Sequence, residues 1–187
     1  MSGAPVDLVG ALSARRARSK STDAAPSRDE LLRLLAAAAN VADHSGYEPW
    51  RVIELRGTAR EGLGFAIAEG FGLSGDKAAS TARKPLRAPL LLALVVSRRP
   101  SLKVPAWEQE ATAAGVAHNL GLLLDAEGWN VLWRTGLATR TDAVRRFHGL
   151  ADGEDLLGWL YVGGRPASDR EDKPRKPRRV EDRLSAL

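Results

Sequence analysis

Cysteine is absent from the 187 residues, methionine occurs once, and aromatic residues make up only 5% of the chain. With no thiol there is no disulfide framework, no Cys-ligated zinc or iron–sulfur cluster, and no cysteine nucleophile. Such a composition fits a reducing cytoplasm, which is the expected location. No apolar run approaches the about 18 uninterrupted residues of a membrane span, so no membrane partner is expected. The opening MSGAPVDLVGALSARRARSK places its basic residues after a short apolar stretch, the reverse of a secretory signal. GxxxxGK(S/T) and GxSxG are both missing, which removes the main support for a P-loop or an α/β-hydrolase. The histidines, His44, His118 and His148, form no i+3 or i+4 pair and find no third ligand at sensible spacing. No metal site is expected.

What remains is an ordinary globular composition, 44% hydrophobic and 27% charged, enough for one domain with its own core. The domain is expected over residues 1–166, followed by a basic C-terminal arm over 167–187, extended or partly disordered. The formal net charge is +5, but it is unevenly placed. Residues 15–20 and 170–179 together hold 10 of the 28 basic residues and 2 of the 23 acidic ones. The body of the chain is therefore slightly acidic, and neither basic cluster contains an aromatic residue. A nucleic-acid binder spreads cations along a face and interleaves stacking rings. Two compact clusters fit a small anion such as one phosphate group, or a solvated surface and tail.

Apolar spacing predicts a first amphipathic helix from about Val6, with the first basic cluster at its end. Ser27 and Glu30 form a capping box for a helix running through LLRLLAAAAN. Trp50–Leu55 reads as a strand, and Thr58–Ala88 as two short helices joined by a Gly-rich stretch. Leu90–Val96 is a continuous apolar run of strand length, the best candidate for a strand covered on both faces. Trp107–Glu127 predicts a helix of about 20 residues, spanning about 30 Å. It is apolar around nearly its whole circumference, so it is expected to be shared with a second subunit. Strands at Trp129–Arg134 and Leu156–Val162 flank a short helix at Thr141–Phe147. The sum is an α+β domain with a central, mixed but mainly antiparallel sheet flanked by helices.

Gly70-Phe71-Gly72-Leu73-Ser74-Gly75 matches GxGxxG by letters but follows a helical pattern, so it lacks the context of a dinucleotide turn. His148 ends a helix, where a cation suits the dipole. His118 on the long helix reads as a core or interface histidine. His44 lies in a helix-to-strand loop, and on the residues alone a site role and a structural role stay equally open. No side-chain catalytic set is evident, so either the protein only binds or a cofactor supplies the chemistry. Trp133-Arg134-Thr135-Gly136 puts an aromatic, a cation and a hydroxyl at a strand end, a grouping suited to a planar, partly anionic ligand, or equally to a core Trp beside a surface Arg.

Arg15-Arg16-Ala17-Arg18-Ser19, the loop Ala42-Asp43-His44-Ser45-Gly46-Tyr47-Glu48-Pro49-Trp50, Lys103-Val104-Pro105-Ala106-Trp107-Glu108-Gln109-Glu110 and Trp133-Arg134-Thr135-Gly136 recur in that order. With the strand ending in Gly163 they resemble the compact group of the nitroreductase family, over roughly residues 6–166. The resemblance implies a homodimer with one FMN in each of two sites at the subunit interface. It implies a ping-pong NAD(P)H oxidoreductase, in which hydride passes to flavin N5 and then to a nitroaromatic, quinone or similar acceptor. Arg15, Arg16, Ala17 and Ser19 would lie along the FMN phosphate and ribityl chain. Asn40 and His44 would approach the flavin from the partner subunit. Trp133, Arg134 and Thr135 would line the isoalloxazine, with Arg134 as electrostatic support and no side chain acting as an acid. Lys176 and Arg178 match a C-terminal Lys-x-Arg that grips the phosphate in broader relatives. Ala17, Asn40 and Glu48 depart from the family's frequent Ser, Arg and Gln, which touches substrate choice more than cofactor binding. A flavin carrier without turnover and a nucleic-acid module built on the basic termini are the rival expectations.

Overall fold

The computed structural model describes residues 7–167 and 179–186. The expected helix start at Val6 and the cations Lys176 and Arg178 lie outside the described residues, as does most of the arm. The chain runs α1 (Leu8–Ala14), α2 (Arg28–Ala38), β1 (Trp50–Leu55), α3 (Thr58–Gly70), α4 (Gly75–Ala82), β2 (Leu90–Ser97), α5 (Ala106–Ala126), β3 (Trp129–Arg134), α6 (Asp142–Phe147) and β4 (Glu154–Gly164). Strand order is β1-β2-β4-β3 and every pairing is antiparallel, so the expected mixed sheet is corrected. The connections β1 to β2 and β3 to β4 return the chain to the end of the sheet it left, while β2 and β3, which run the same way on either side of the α5 crossover, are kept apart by β4.

The β2 run behaves as its composition predicts. Leu90, Leu92 and Leu94 face one core with α2 and α5, while Leu91, Ala93 and Val95 face a second with α3 and α6. Burying both faces of an eight-residue strand needs apolar side chains at every position, which is why no alternation is visible there. Helix α5 is only half covered. It buries Ala113, Val116, Ala117, Leu120 and Leu124 against the sheet and leaves Ala111 and His118 exposed. Gln109, also buried, staples the preceding loop: its amide donates to the carbonyls of Arg99 and Val104 and accepts from the Arg99 N–H.

Two local readings are revised. Ser27 Oγ accepts from the Glu30 N–H at 3.2 Å, but the Glu30 carboxylate takes the Trp129 indole N–H at 2.7 Å, so the capping box closes only on one side. His148 is buried rather than set as a helix-end cation. Its Nδ1 donates to the Val144 carbonyl and its Nε2 accepts from the Trp159 indole N–H. Burial pushes its pKa down, which favours the neutral ring.

The letters of GxGxxG fall at the end of α3 and the start of α4, with no strand before them. Close helix packing explains Gly64 instead. A Cβ there would sit 2.1 Å from the Ala82 carbonyl oxygen of α4. Backbone cannot yield as a flexible side chain does, so Gly64→Ala is expected to cost about 2 kcal/mol or more. Urea unfolding with an unchanged m-value checks this; a loss below ~0.5 kcal/mol would mean that the two helices separate freely.

Candidate functional site

The first half of the site is assembled by the segment that follows α1. The helix stops at Arg15, whose ψ of 134° takes the backbone out of the helical region. The chain then lies along the sheet edge, tied by Arg18 N–H to the Val131 carbonyl, by Thr22 N–H to the Gly164 carbonyl, and by the Asn130 amide to the Lys20 carbonyl. This holds Arg15 and Ala17 over a groove of about 280 Å³, whose other walls include Val131, Trp133 and Leu160 of the sheet and Ala117, His118 and Gly121 of α5. The His118 ring meets Trp133 edge-on, with centroids 4.7 Å apart. Trp133 Nε1 is buried and has no hydrogen-bond partner among the described residues.

A β-bulge shapes the floor. Leu94 pairs with Gly158 and Val95 with Leu156, leaving Leu157 as the extra residue of β4. Gly158 has φ 146°, and a Cβ on it would lie 2.4 Å from the Arg134 carbonyl oxygen and 2.6 Å from Trp133 Nε1. Only glycine lets the bulged β4 lie so close beside the end of β3.

The second half lies further toward the N-terminus of α5. A cavity of about 590 Å³ is lined by residues of the 41–44 loop, including His44, and by Trp107, Glu108, Ala111, Thr112 and Gly115. The loop is rigidly built: the Asp43 carboxylate accepts from the backbone N–H groups of Tyr47 and Glu48, at 3.0 and 2.7 Å. Arg99 lies over the Tyr47 ring and donates to the Tyr47 carbonyl. His44 Nδ1 stands 2.8 Å from Glu108 Oε2.

The sequence-expected residues are distributed unevenly over these features. Arg15, Ala17 and Trp133 share the groove, and His44 lines the larger cavity. Arg16 turns back to the carbonyls of Ser13 and Ala14 at the end of α1. Asn40 donates to the carbonyls of Ala36 and Ala37 at the end of α2, and lines neither cavity. Ser19 and Thr135 are exposed. Arg134 lies on the sheet face opposite Trp133, its guanidinium 5.3 Å from the centre of the Tyr161 ring. His118 had no place in the expected site, yet it lines the groove. Ala111, Gly115, His118 and Leu122 recur at i, i+4, i+7 and i+11, one face of α5, and that spacing was the available signal.

A family model described as the Nitroreductase family matches residues 12–164. The Escherichia coli protein called "Putative NAD(P)H nitroreductase YdjA" is 32% identical over 161 residues, covering 84% of this chain and 88% of that protein. Among solved structures, a nitroreductase-like family protein from Bacillus cereus superposes with a TM-score of 0.82 at 21% identity, covering 100% of this chain and 99% of that one. The FMN and NADPH-dependent nitroreductase NfnB from Sphigopyxis sp. strain HMH gives 0.72 at 18% identity, with 97% and 99% coverage. The two structures share the fold, while the family model and the Escherichia coli relative go further: the chain belongs to the nitroreductase family.

Proposed function

We propose that the chain is a homodimeric, FMN-dependent NAD(P)H oxidoreductase acting on nitroaromatic, quinone or similar acceptors. The observation that carries this reading is the groove in which a cation, Arg15, lies over an apolar wall that includes Trp133, Val131 and Leu160. The Trp133 side chain on that wall gives a planar ring system an aromatic surface to lie against. Arg15 suits a phosphate, since guanidinium pairs with its oxygens in two parallel hydrogen bonds. The residues present therefore fit FMN. The names of YdjA and NfnB, with NAD(P)H in one and FMN and NADPH in the other, favour the same reading.

Bound there, the flavin supplies the two-electron chemistry between NAD(P)H and the acceptor. The protein supplies the rest. Trp133 offers a flat apolar surface, and Gly158 lets β4 pass close beside it. Arg134 contributes its backbone at the strand end, since its guanidinium faces Tyr161. A second copy completes the walls. Leu8, Val9 and Leu12 of α1 are 61, 77 and 56% exposed, and α5 presents its stripe of Ala111, Gly115 and His118 on an uncovered face. Covering both would exclude water from the groove and bring His44 of one copy toward the groove of the other. The cysteine-free chain is placed in the cytoplasm.

Anaerobic rapid mixing of the flavin-loaded protein with NADH or NADPH tests turnover. Loss of the oxidised flavin colour within seconds, restored by a quinone, is expected. A flavin that stays oxidised for minutes with both nucleotides would make the protein a carrier, contradicting the enzyme.

A further inference from the structure

The larger cavity contains one pairing that the flavin reading leaves unused. Of the side chains lining it, Val41, Ala42, Trp107 and Ala111 present apolar surface, and the Thr112 hydroxyl donates to the Ala42 carbonyl. Both oxygens of Asp43 are committed to backbone N–H groups of its own loop. His44 and Glu108 remain, joined through Nδ1 and Oε2 at 2.8 Å. An ionised carboxylate only accepts hydrogen bonds, so the proton of this bond belongs to Nδ1. For a neutral ring that leaves Nε2 with a lone pair and no partner among the described residues. Glu108 stands in the first turn of α5, where the helix dipole favours its negative charge. The Asp43 clamp and the left-handed backbone at Ser45, φ 64°, fix the loop that carries the ring.

We propose that Glu108 is a positioning residue. It holds His44 as the Nδ1–H tautomer, so that Nε2 is presented to the cavity to accept a hydrogen bond from an O–H or N–H of the bound flavin. The assignment rests on the flavin reading above and adds to it the class of contact made. The other ring nitrogen of a histidine ligand is set by the bond its partner nitrogen makes, the same logic that orients imidazoles in catalytic and metal sites.

The test has two arms. Long-range proton–nitrogen NMR on labelled full-length protein reads ring tautomers directly, and the chain has only three histidines, each assignable by its own His→Gln variant. The wild type and Glu108→Gln, whose amide oxygen still accepts, are expected to show His44 as Nδ1–H, while Glu108→Ala shows a mixture. FMN titration forms the second arm. Glu108→Ala is expected to weaken binding about tenfold and Glu108→Gln by no more than about threefold. In a His44→Phe background Glu108→Ala should have no further effect, because the two act through one contact. His44 found as Nε2–H in the wild type, or losses that simply add, would overturn the proposal alone. A wild type with the expected tautomer that takes up no FMN would overturn the flavin reading, and this proposal with it.

Discussion

Replacing Arg15 by alanine is expected to strip the protein of flavin, weakening FMN affinity by about 10- to 100-fold, the range of one lost charge-assisted contact. The reasoning is positional as well as electrostatic. Arg15 is the residue at which α1 breaks, and the backbone beyond it is anchored to β3 and β4 by the Arg18 and Thr22 hydrogen bonds. The backbone that carries the cation is thus held beside the groove before any ligand arrives, which lowers the ordering cost of binding. Arg15→Lys should recover part of the loss, since it keeps the charge but not the two-pronged geometry. A melting curve of the variant separates loss of flavin from loss of fold. Flavin absorbance per chain and a fluorescence titration read the effect. Unchanged FMN content in Arg15→Ala would remove the groove from the cofactor site.

A large, pH-dependent stability effect is expected at Glu154, far from the groove. Its carboxylate accepts two hydrogen bonds from Arg51, both at 2.7 Å, one from Ser97 at 2.8 Å, and one from the Ala151 N–H at 3.0 Å. The Arg51 bond is the largest cause of a carboxyl pKa lowered from 4.5 to about 2. A shift of that size corresponds to about 3 kcal/mol of preference for the charged, folded form. The Arg51 side chain is 40% exposed, so solvent screening trims this to about 2 kcal/mol. Because the folded pKa is depressed, the contribution is complete above the unfolded value and is lost as pH falls from about 4.5 toward about 2. Glu154→Gln should therefore be less stable than wild type by about 2 kcal/mol at neutral pH, the gap closing in acid. Urea unfolding across that range checks it; a gap that does not change with pH would show that the charge is not what holds the cluster.

How far the fold could be read from the chain depended on how local each signal is. The apolar run of β2 and the length of α5 announce themselves, since a strand buried on both faces and a long uninterrupted helix need no distant partner to be recognised, although α5 is covered on only one side. Glu30 marks the limit of that approach. Its spacing from Ser27 promises a closed capping box, but Trp129, distant in sequence, competes successfully for the carboxylate. The site shows the same division. Trp133 lines the groove, and strand alternation alone separates it from Arg134, yet both were expected on one wall. His118 and Glu108 meet Trp133 and His44 only through the packing of α5, the latter pair across 64 residues of sequence. The bulge at Leu157 left no mark beyond Gly158, because a register shift is a property of two strands and not of one.

The proposed activity needs a groove that holds one flavin and is completed by a second copy of the chain. Calorimetric titration of FMN into flavin-free protein, combined with sedimentation of the product, tests this most directly. One FMN bound per chain in a two-chain particle is the result the account predicts. A strictly monomeric protein that stays colourless and takes up no FMN would contradict it.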